Sequence, residues 1–315
     1  MTTTPRVTIG LPVYNGEVYL AEALDSLLAQ TYRDFELVIS DNASTDSTPD
    51  ICRARAERDP RVVYLRNETN VGAMHNFNLL VGHAHGEYFK WAAHDDVHEP
   101  TYLERCVAVL DSDPGVVLAH ALSRDVDDHG HAVASRPDRL AVASPRTLTR
   151  FRDLIRREHS VQLIFGVMRT AVLRETRLLA NYADCDRVLL TEIGLAGRFH
   201  ETPEELFIHR EHRARSTWQY TSRQTRSAWF DPARAGAPAM PYSRQGVAYL
   251  GAILRAPISW MERLLCFLAM GVWLLRNASG LWEDVLYALR FHLRPIKRRL
   301  IPSSGGEAGA SGRHK

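Results

Sequence analysis

Residues 7–48 read VTIGLPVYNGEVYLAEALDSLLAQTYRDFELVISDNASTDST. Two apolar runs, Val7–Val13 and 35–40, flank a stretch where Leu20, Leu24, Leu27 and Leu28 share one face at i, i+4, i+7 and i+8. That spacing predicts an amphipathic helix between two strands. Asp46, Ser47, Thr48 and Pro49 then read as the cap and first turn of a second helix, running to about residue 58. Further apolar runs follow at 62–66, 88–92 and 116–120. Strands separated by one helix each imply right-handed βαβ crossovers and a mainly parallel sheet. Such sheets bind ligands at the carboxyl ends of their strands, so chemistry is expected in the loops that follow the runs.

Four of those loops are rich in polar groups. The first, 11–17, sets Pro12, Tyr14, Asn15 and Glu17 around Gly16; it offers a ring for a base to stack on, and is equally ordinary turn chemistry. The second carries Asp41 and Asn42, which can cap a helix or accept from a pyrimidine N–H. In the third, 67–72, Gly72 permits either a turn or close backbone approach to a ligand. The fourth, HDDVHEP at 94–100, is the strongest signal. Adjacent carboxylates ending an apolar strand are costly unless they bind something, and a hard cation such as Mg²⁺ or Mn²⁺ bridging phosphates fits them. His83, His85, His94 and His98 do not have the spacing of a closed zinc site. No G-x-G-x-x-G or G-x-x-x-x-G-K-[ST] accompanies these loops, which weighs against dinucleotide and P-loop readings.

Taken in order, VTIGLPVYNGEVYLAEALDSLLAQTY (7–32), FELVISDNASTDST (35–48), RVVYLRNETNVGAMHNFN (61–78) and GEYFKWAAHDDVHEP (86–100) resemble the nucleotide-sugar-binding half of inverting family 2 glycosyltransferases with the GT-A fold. The resemblance is close over about 7–120 and loose to 212. It implies a GT-A α/β domain at 1–212, with a nucleotide-binding half (1–120) and an acceptor half (121–212). The implied reaction moves a sugar from a nucleoside diphosphate-sugar to a hydroxyl acceptor, in cell-surface polysaccharide or glycolipid assembly, with Mg²⁺ or Mn²⁺ as cofactor. Pro12, Tyr14, Asn15, Glu17, Asp41, Asn42 and Gly72 are then expected at the nucleotide. Asp96 is expected to hold the metal, and Asp95 the ribose or the metal edge. Two departures stand out: Asn42 replaces a frequent second acid, and Ala93 sits where the acidic metal motif usually starts.

In the second half, YADCDRVLL (182–190) resembles the place where the family opens a helix with its general base. Asp186 matches the base and Cys185 replaces the preceding Glu; the other reading is that Asp184 and Asp186 cap the helix. FIHREH (207–212) resembles the strand and loop carrying a His near the diphosphate, which makes His212 a metal or phosphate ligand or part of a solvated basic edge. FGVMR (165–169) reads as acceptor side or as core.

Composition sets outer bounds. The 315 residues, 45% apolar and 24% charged, suffice for a real core and exclude a disulfide miniprotein or wholesale disorder. With 39 basic and 37 acidic residues the net charge is +2, so no broad basic face for nucleic acid is expected. Four isolated cysteines suit a reducing compartment, and with no apolar leader the expected location is cytoplasmic.

The segment 213–245 reads as an irregular connection, 246–300 as a helical extension and 301–315 as a disordered tail. The run LLCFLAMGVWLL (264–275) would span about 18 Å as a helix, short of the roughly 30 Å bilayer core, so it reads as buried or interfacial. Leu281, Trp282, Val285, Leu286, Leu289 and Leu293 form an apolar stripe beside Arg290, Arg294, Lys297, Arg298 and Arg299. That pairing suits peripheral contact with the cytoplasmic face of a membrane and a lipid-linked acceptor, or simple packing on the catalytic domain. Two rival functions remain: a nucleotidyltransferase-like enzyme, which commonly has a Gly-rich basic loop that 12–17 lacks, and a non-catalytic nucleotide-sugar-binding subunit, suggested by Ala93 and Cys185.

Overall fold

The first two strands, β1 (Val7–Val13) and β2 (Phe35–Asp41), are buried almost throughout, as continuous apolar runs require when helices cover both faces of a sheet. The computed structural model describes residues 4–134, 140–156, 159, 161–213, 215, 222–230, 232 and 240–300. After β1 come α1 (Leu20–Leu28), β2, α2 (Thr48–Arg58), β3 (Val62–Arg66), α3 (Ala73–Gly82) and β4 (Tyr88–Trp91). The chain continues through β5 (Val97–His98), α4 (Tyr102–Ser112), β6 (Val116–Val126) and α5 (Thr147–Arg156). A 3-10 turn (Val161–Phe165), β7 (Val167–Arg169), α6 (Thr170–Arg174), α7 (Cys185–Ala196) and β8 (Arg198–Arg210) complete the sheet region.

The sheet has the order β3-β2-β1-β4-β7-β6-β8-β5. It is parallel from β3 to β4 and again between β6 and β8. Beyond β4 it becomes mixed: β7 runs antiparallel to β4 and β6, and β5 antiparallel to β8. The loops after β1, β2 and β4 therefore open side by side at one edge, where β8 brings its own carboxyl end. One face is covered by Leu20, Leu24 and Leu27 of α1 with Leu103 and Leu110 of α4. A second core forms between Leu80 of α3, Trp91 of β4, and Leu189, Leu190 and Ile193 of α7.

The expectation of an irregular connection at 213–245 is corrected for its described residues at 223–230 and 241–245. Arg223–Phe230 is a helix, α8, and α9 already begins at Pro241 (Pro241–Arg255). Arg, Ser and Pro richness hid an eight-residue helix whose Phe230 is anchored in the second core. Two further helices follow, α10 (Trp260–Arg276) and α11 (Ala278–Leu300). The first of these is docked on the sheet domain: Cys266, Met270 and Trp273 of α10 pack with Tyr249 and Ile253 of α9 against Phe151 of α5 and Leu195 of α7. The run 264–275 is thus half buried and half exposed. Among the described residues no single helix is long and apolar enough to cross a membrane. The tail expected at 301–315, and the side chain of Leu293 in the expected stripe, lie outside the described residues.

Candidate active site

Backbone geometry in the first two loops depends on mutual hydrogen bonding. Asn15 and Ala43 both adopt left-handed φ values, 51° and 61°. Asn15 N–H donates to Ser44 Oγ, Thr45 N–H to Asn15 Oδ1, and Gly16 N–H to Thr48 Oγ1, each at 2.9 Å. Gly16 also has to be small: a Cβ there would lie 2.7 Å from the His94 ring, so the first and fourth loops touch through it. Glu17 points the other way and accepts from Ser47 N–H at 3.0 Å, outside the cavity lining.

Asp41 is fully buried and saturated by protein donors. Its Oδ1 accepts from Ser44 N–H (2.8 Å), and its Oδ2 from Tyr64 OH (2.8 Å) and Arg66 Nη1 (3.0 Å). It shapes the second loop and does not face the cavity. Asp41→Ala leaves those donors unmatched and is expected to lower the unfolding free energy by about 1–3 kcal/mol, read from urea denaturation. Asn42 does line the cavity. Its Oδ1 accepts from Val71 N–H (2.9 Å) and Asn67 Nδ2 (3.1 Å), tying the second loop to the third. Gly72, with φ 88°, sits in the left-handed region that favours glycine and leads into α3. It too stands behind the lining.

The acidic pair is held by the end of β8. Asp96 is buried; its Oδ1 engages His209 Nδ1 at 2.9 Å and accepts from Arg210 N–H at 3.1 Å. Asp95 Oδ2 lies 2.9 Å from His212 Nε2. Burial opposes ionisation of Asp95, but the neighbouring charge of His94 and the bond and charge of His212 outweigh it and hold the carboxyl well below its usual range. Burial also works against a charged His209, yet the bond to Asp96 and its charge leave that imidazole raised. The Tyr19 ring packs tilted against His212, centroids 4.8 Å apart, while its OH donates to Asp128 at 2.6 Å.

The general-base candidate opens α7. Asp184, the N-cap, has φ 64° and makes no side-chain cap bond, while Asp186 Oδ1 accepts from Arg187 N–H at 2.8 Å. A carboxylate in the first turn of a helix is normally favoured. Here burial prevails and, with the charge of Asp184, pushes the Asp186 carboxyl up to about 6. Cys185 turns inward and meets Met74 Sδ at 3.5 Å.

A cavity of about 1350 Å³ gathers Pro12, Tyr14, Asn15, Asn42, Asp95, Asp96, Asp186 and His212. Glu17, Asp41 and Gly72 are the expected site residues that it leaves out. Its volume exceeds the usual range for one drug-sized ligand and suits two substrates together. Arg226 and Trp229 of α8 also line it, and Arg226 acts electrostatically on Asp186. Nothing in the sequence pattern marked these two, since the segment around them shows no apolar period.

The donor set suits a divalent cation. Two adjacent carboxylates and an imidazole point into one cavity, and the buried Nδ1 of His212 has no hydrogen-bond partner among the described residues. Among the described residues no group of three or more His, Cys, Asp or Glu is placed so that together they could hold a metal ion, so a cation here would rest on fewer protein ligands. An open site with one or two carboxylates completed by substrate phosphates is the usual form for Mg²⁺.

The family model described as glycosyl transferase family 2 matches residues 8–175. An uncharacterised glycosyltransferase of Rickettsia prowazekii is 34% identical over 137 residues, which is 43% of this chain and 42% of that relative. The chain thus matches less than half the length of that protein. Among solved structures, S. aureus TarS 1–349 in complex with UDP-GlcNAc is similar with a TM-score of 0.66 at 19% identity, covering 87% of this chain and 73% of that one. The mannosyltransferase PcManGT of Pyrobaculum calidifontis, in complex with GDP-Man and Mn²⁺, is similar with a TM-score of 0.53 at 20% identity, covering 93% and 88%. At these identities the likeness is one of fold.

Proposed function

The chain belongs to glycosyl transferase family 2, and from that premise we propose that it moves a sugar from a nucleoside diphosphate donor to a hydroxyl group with inversion at the anomeric carbon. The observation that carries this reading is the convergence of Asp95, Asp96 and Asp186 on one cavity. Tyr14, 42% exposed at the cavity wall, offers its ring to the base, and Asn42 lines the same cavity. Asp186 takes the proton of the acceptor hydroxyl as the new C–O bond forms and the bond to the diphosphate breaks on the opposite side. A carboxyl poised near 6 is a usable base at neutral pH.

Asp96, Asp95 and His212 would hold Mg²⁺ or Mn²⁺. When bound, the cation neutralises the charge of the departing diphosphate. The Mn²⁺ in the Pyrobaculum calidifontis structure supports a metal here, and the UDP-GlcNAc and GDP-Man in the similar structures support a nucleotide-sugar donor. The acceptor that fits best is a lipid-linked saccharide in surface polysaccharide or glycolipid assembly, met by peripheral contact at the cytoplasmic face of a membrane.

Nucleoside diphosphates are expected to raise the melting temperature in the presence of Mn²⁺, with a ligand at a hundred times its Kd adding about 2.7 kcal/mol. Release of nucleoside diphosphate from a nucleotide-sugar, even by slow hydrolysis, is expected alongside. Stabilisation without turnover of any donor would replace the transferase with a non-catalytic binding subunit, a reading that Ala93 in the cavity wall and the inward Cys185 favour.

A further inference from the structure

Helix α10 is apolar on both sides. Its inner side is packed, but Trp260, Leu264, Leu268 and Leu275 point outward with 71%, 48%, 63% and 79% of their surface exposed. The charged residues of the helix are Glu262 and Arg263 near its start and Arg276 at its end, so the outward face between them carries no charge. Glu262 is used in a capping box with Ser259, and Arg263 donates to the carbonyls of Ile253 and Ala256. Past a 66° bend, α11 extends the exposed apolar surface with Trp282 and Leu289. Apolar patches of this kind on an otherwise well-packed protein mark an interaction surface.

We propose that the outward face of α10, continued by the first half of α11, docks in the plane of an anionic membrane leaflet. This deepens the membrane contact in the proposed function and rests on that reading only for its purpose. Three observations select a lipid surface. Seventeen residues give α10 a length of about 25 Å, and one side of it is fixed on the protein, so it lies along a membrane instead of crossing it. Exposed Trp260 and Trp282 stand near the starts of the two helices, and indole rings prefer the headgroup level. Finally, Arg276 and Arg290 are exposed and the α11 sequence continues with Arg294, Lys297, Arg298 and Arg299; exposed Glu283 is the one acid facing outward among them. An anionic leaflet offers both an apolar layer and countercharge for that run, whereas a second copy of the face supplies only the apolar part.

The test is flotation of the full chain with vesicles of phosphatidylglycerol and phosphatidylcholine in equal parts, against phosphatidylcholine alone. The chain is expected to float with the anionic vesicles at low salt and to partition less as salt screens the charges. L264E/L268E, substituted at exposed positions, is expected to partition at least about tenfold less per leucine removed from the apolar phase, with an unchanged melting temperature. Arg290→Glu should weaken binding by a further factor of several. Flotation of L264E/L268E equal to the parent chain, or recovery of the parent chain in the unbound fraction with both vesicles, overturns the proposal. So does a parent dimer that L264E/L268E converts to monomer without any flotation, which assigns the face to a second copy. Nucleoside diphosphate stabilisation measured without lipid on the same proteins reports on the transferase reading alone, so the two failures are separable.

Discussion

Asp186→Asn is expected to turn over donor and acceptor roughly 10²–10⁴-fold more slowly, the loss typical of a removed general base. The amide keeps the size of the carboxylate and its acceptor for Arg187 N–H, so α7 and donor affinity should survive. The pH profile supplies the sharper check. Asp186 must be unprotonated to receive a proton, and burial sets its carboxyl at about 6. Activity of the parent chain should therefore be full above that value and fall as pH drops through it. The variant should lose that limb of the profile along with most of its rate. If Asp186→Asn is fully active while Asp184→Asn is dead, the base is the N-cap residue and the assignment is wrong.

The second large effect concerns the acidic pair. Asp96→Asn keeps an oxygen for His209 and the Arg210 N–H while removing the charge a cation requires. It is expected to lower transfer by roughly 10³-fold, the scale of several kcal/mol that metal neutralisation of a leaving group contributes. Nucleoside diphosphate binding by the parent chain should strengthen with Mn²⁺, and the variant's should not respond to it. Titration calorimetry with and without Mn²⁺ checks this. Affinity that ignores Mn²⁺ in both proteins removes Asp96 from the metal site.

These two residues also show how far the chain could be read in one dimension. The strands at 7–13, 62–66 and 88–91 and the helix face of Leu20, Leu24 and Leu27 were legible because apolar periodicity is local. So was the acidic pair at 95 and 96, since two carboxylates ending an apolar strand are conspicuous at any fold. The same loops were not legible in detail: Asp41 accepts from Ser44 N–H and Tyr64 OH and Glu17 from Ser47 N–H, and neither side chain lines the cavity.

What the sequence by itself determined was the alternation of the longer strands and helices in the first 120 residues, the short β5 excepted, and the positions of the polar loops, because each is specified by residues within about one turn or strand of one another. The tertiary structure decided what lies across the cavity. His209 meets Asp96 across 113 residues and His212 meets Asp95 across 117, both through the pairing of β5 with β8 that no local pattern announces. It also decided that Arg226 and Trp229 line the cavity, and that the surroundings of Asp186 push its carboxyl up to about 6. In α10 every side of the helix is apolar, so only the packing against α5 and α9 distinguishes the face that is core from the face left exposed. Burial is a property of neighbours distant in the chain, and both pKa and exposure follow from it.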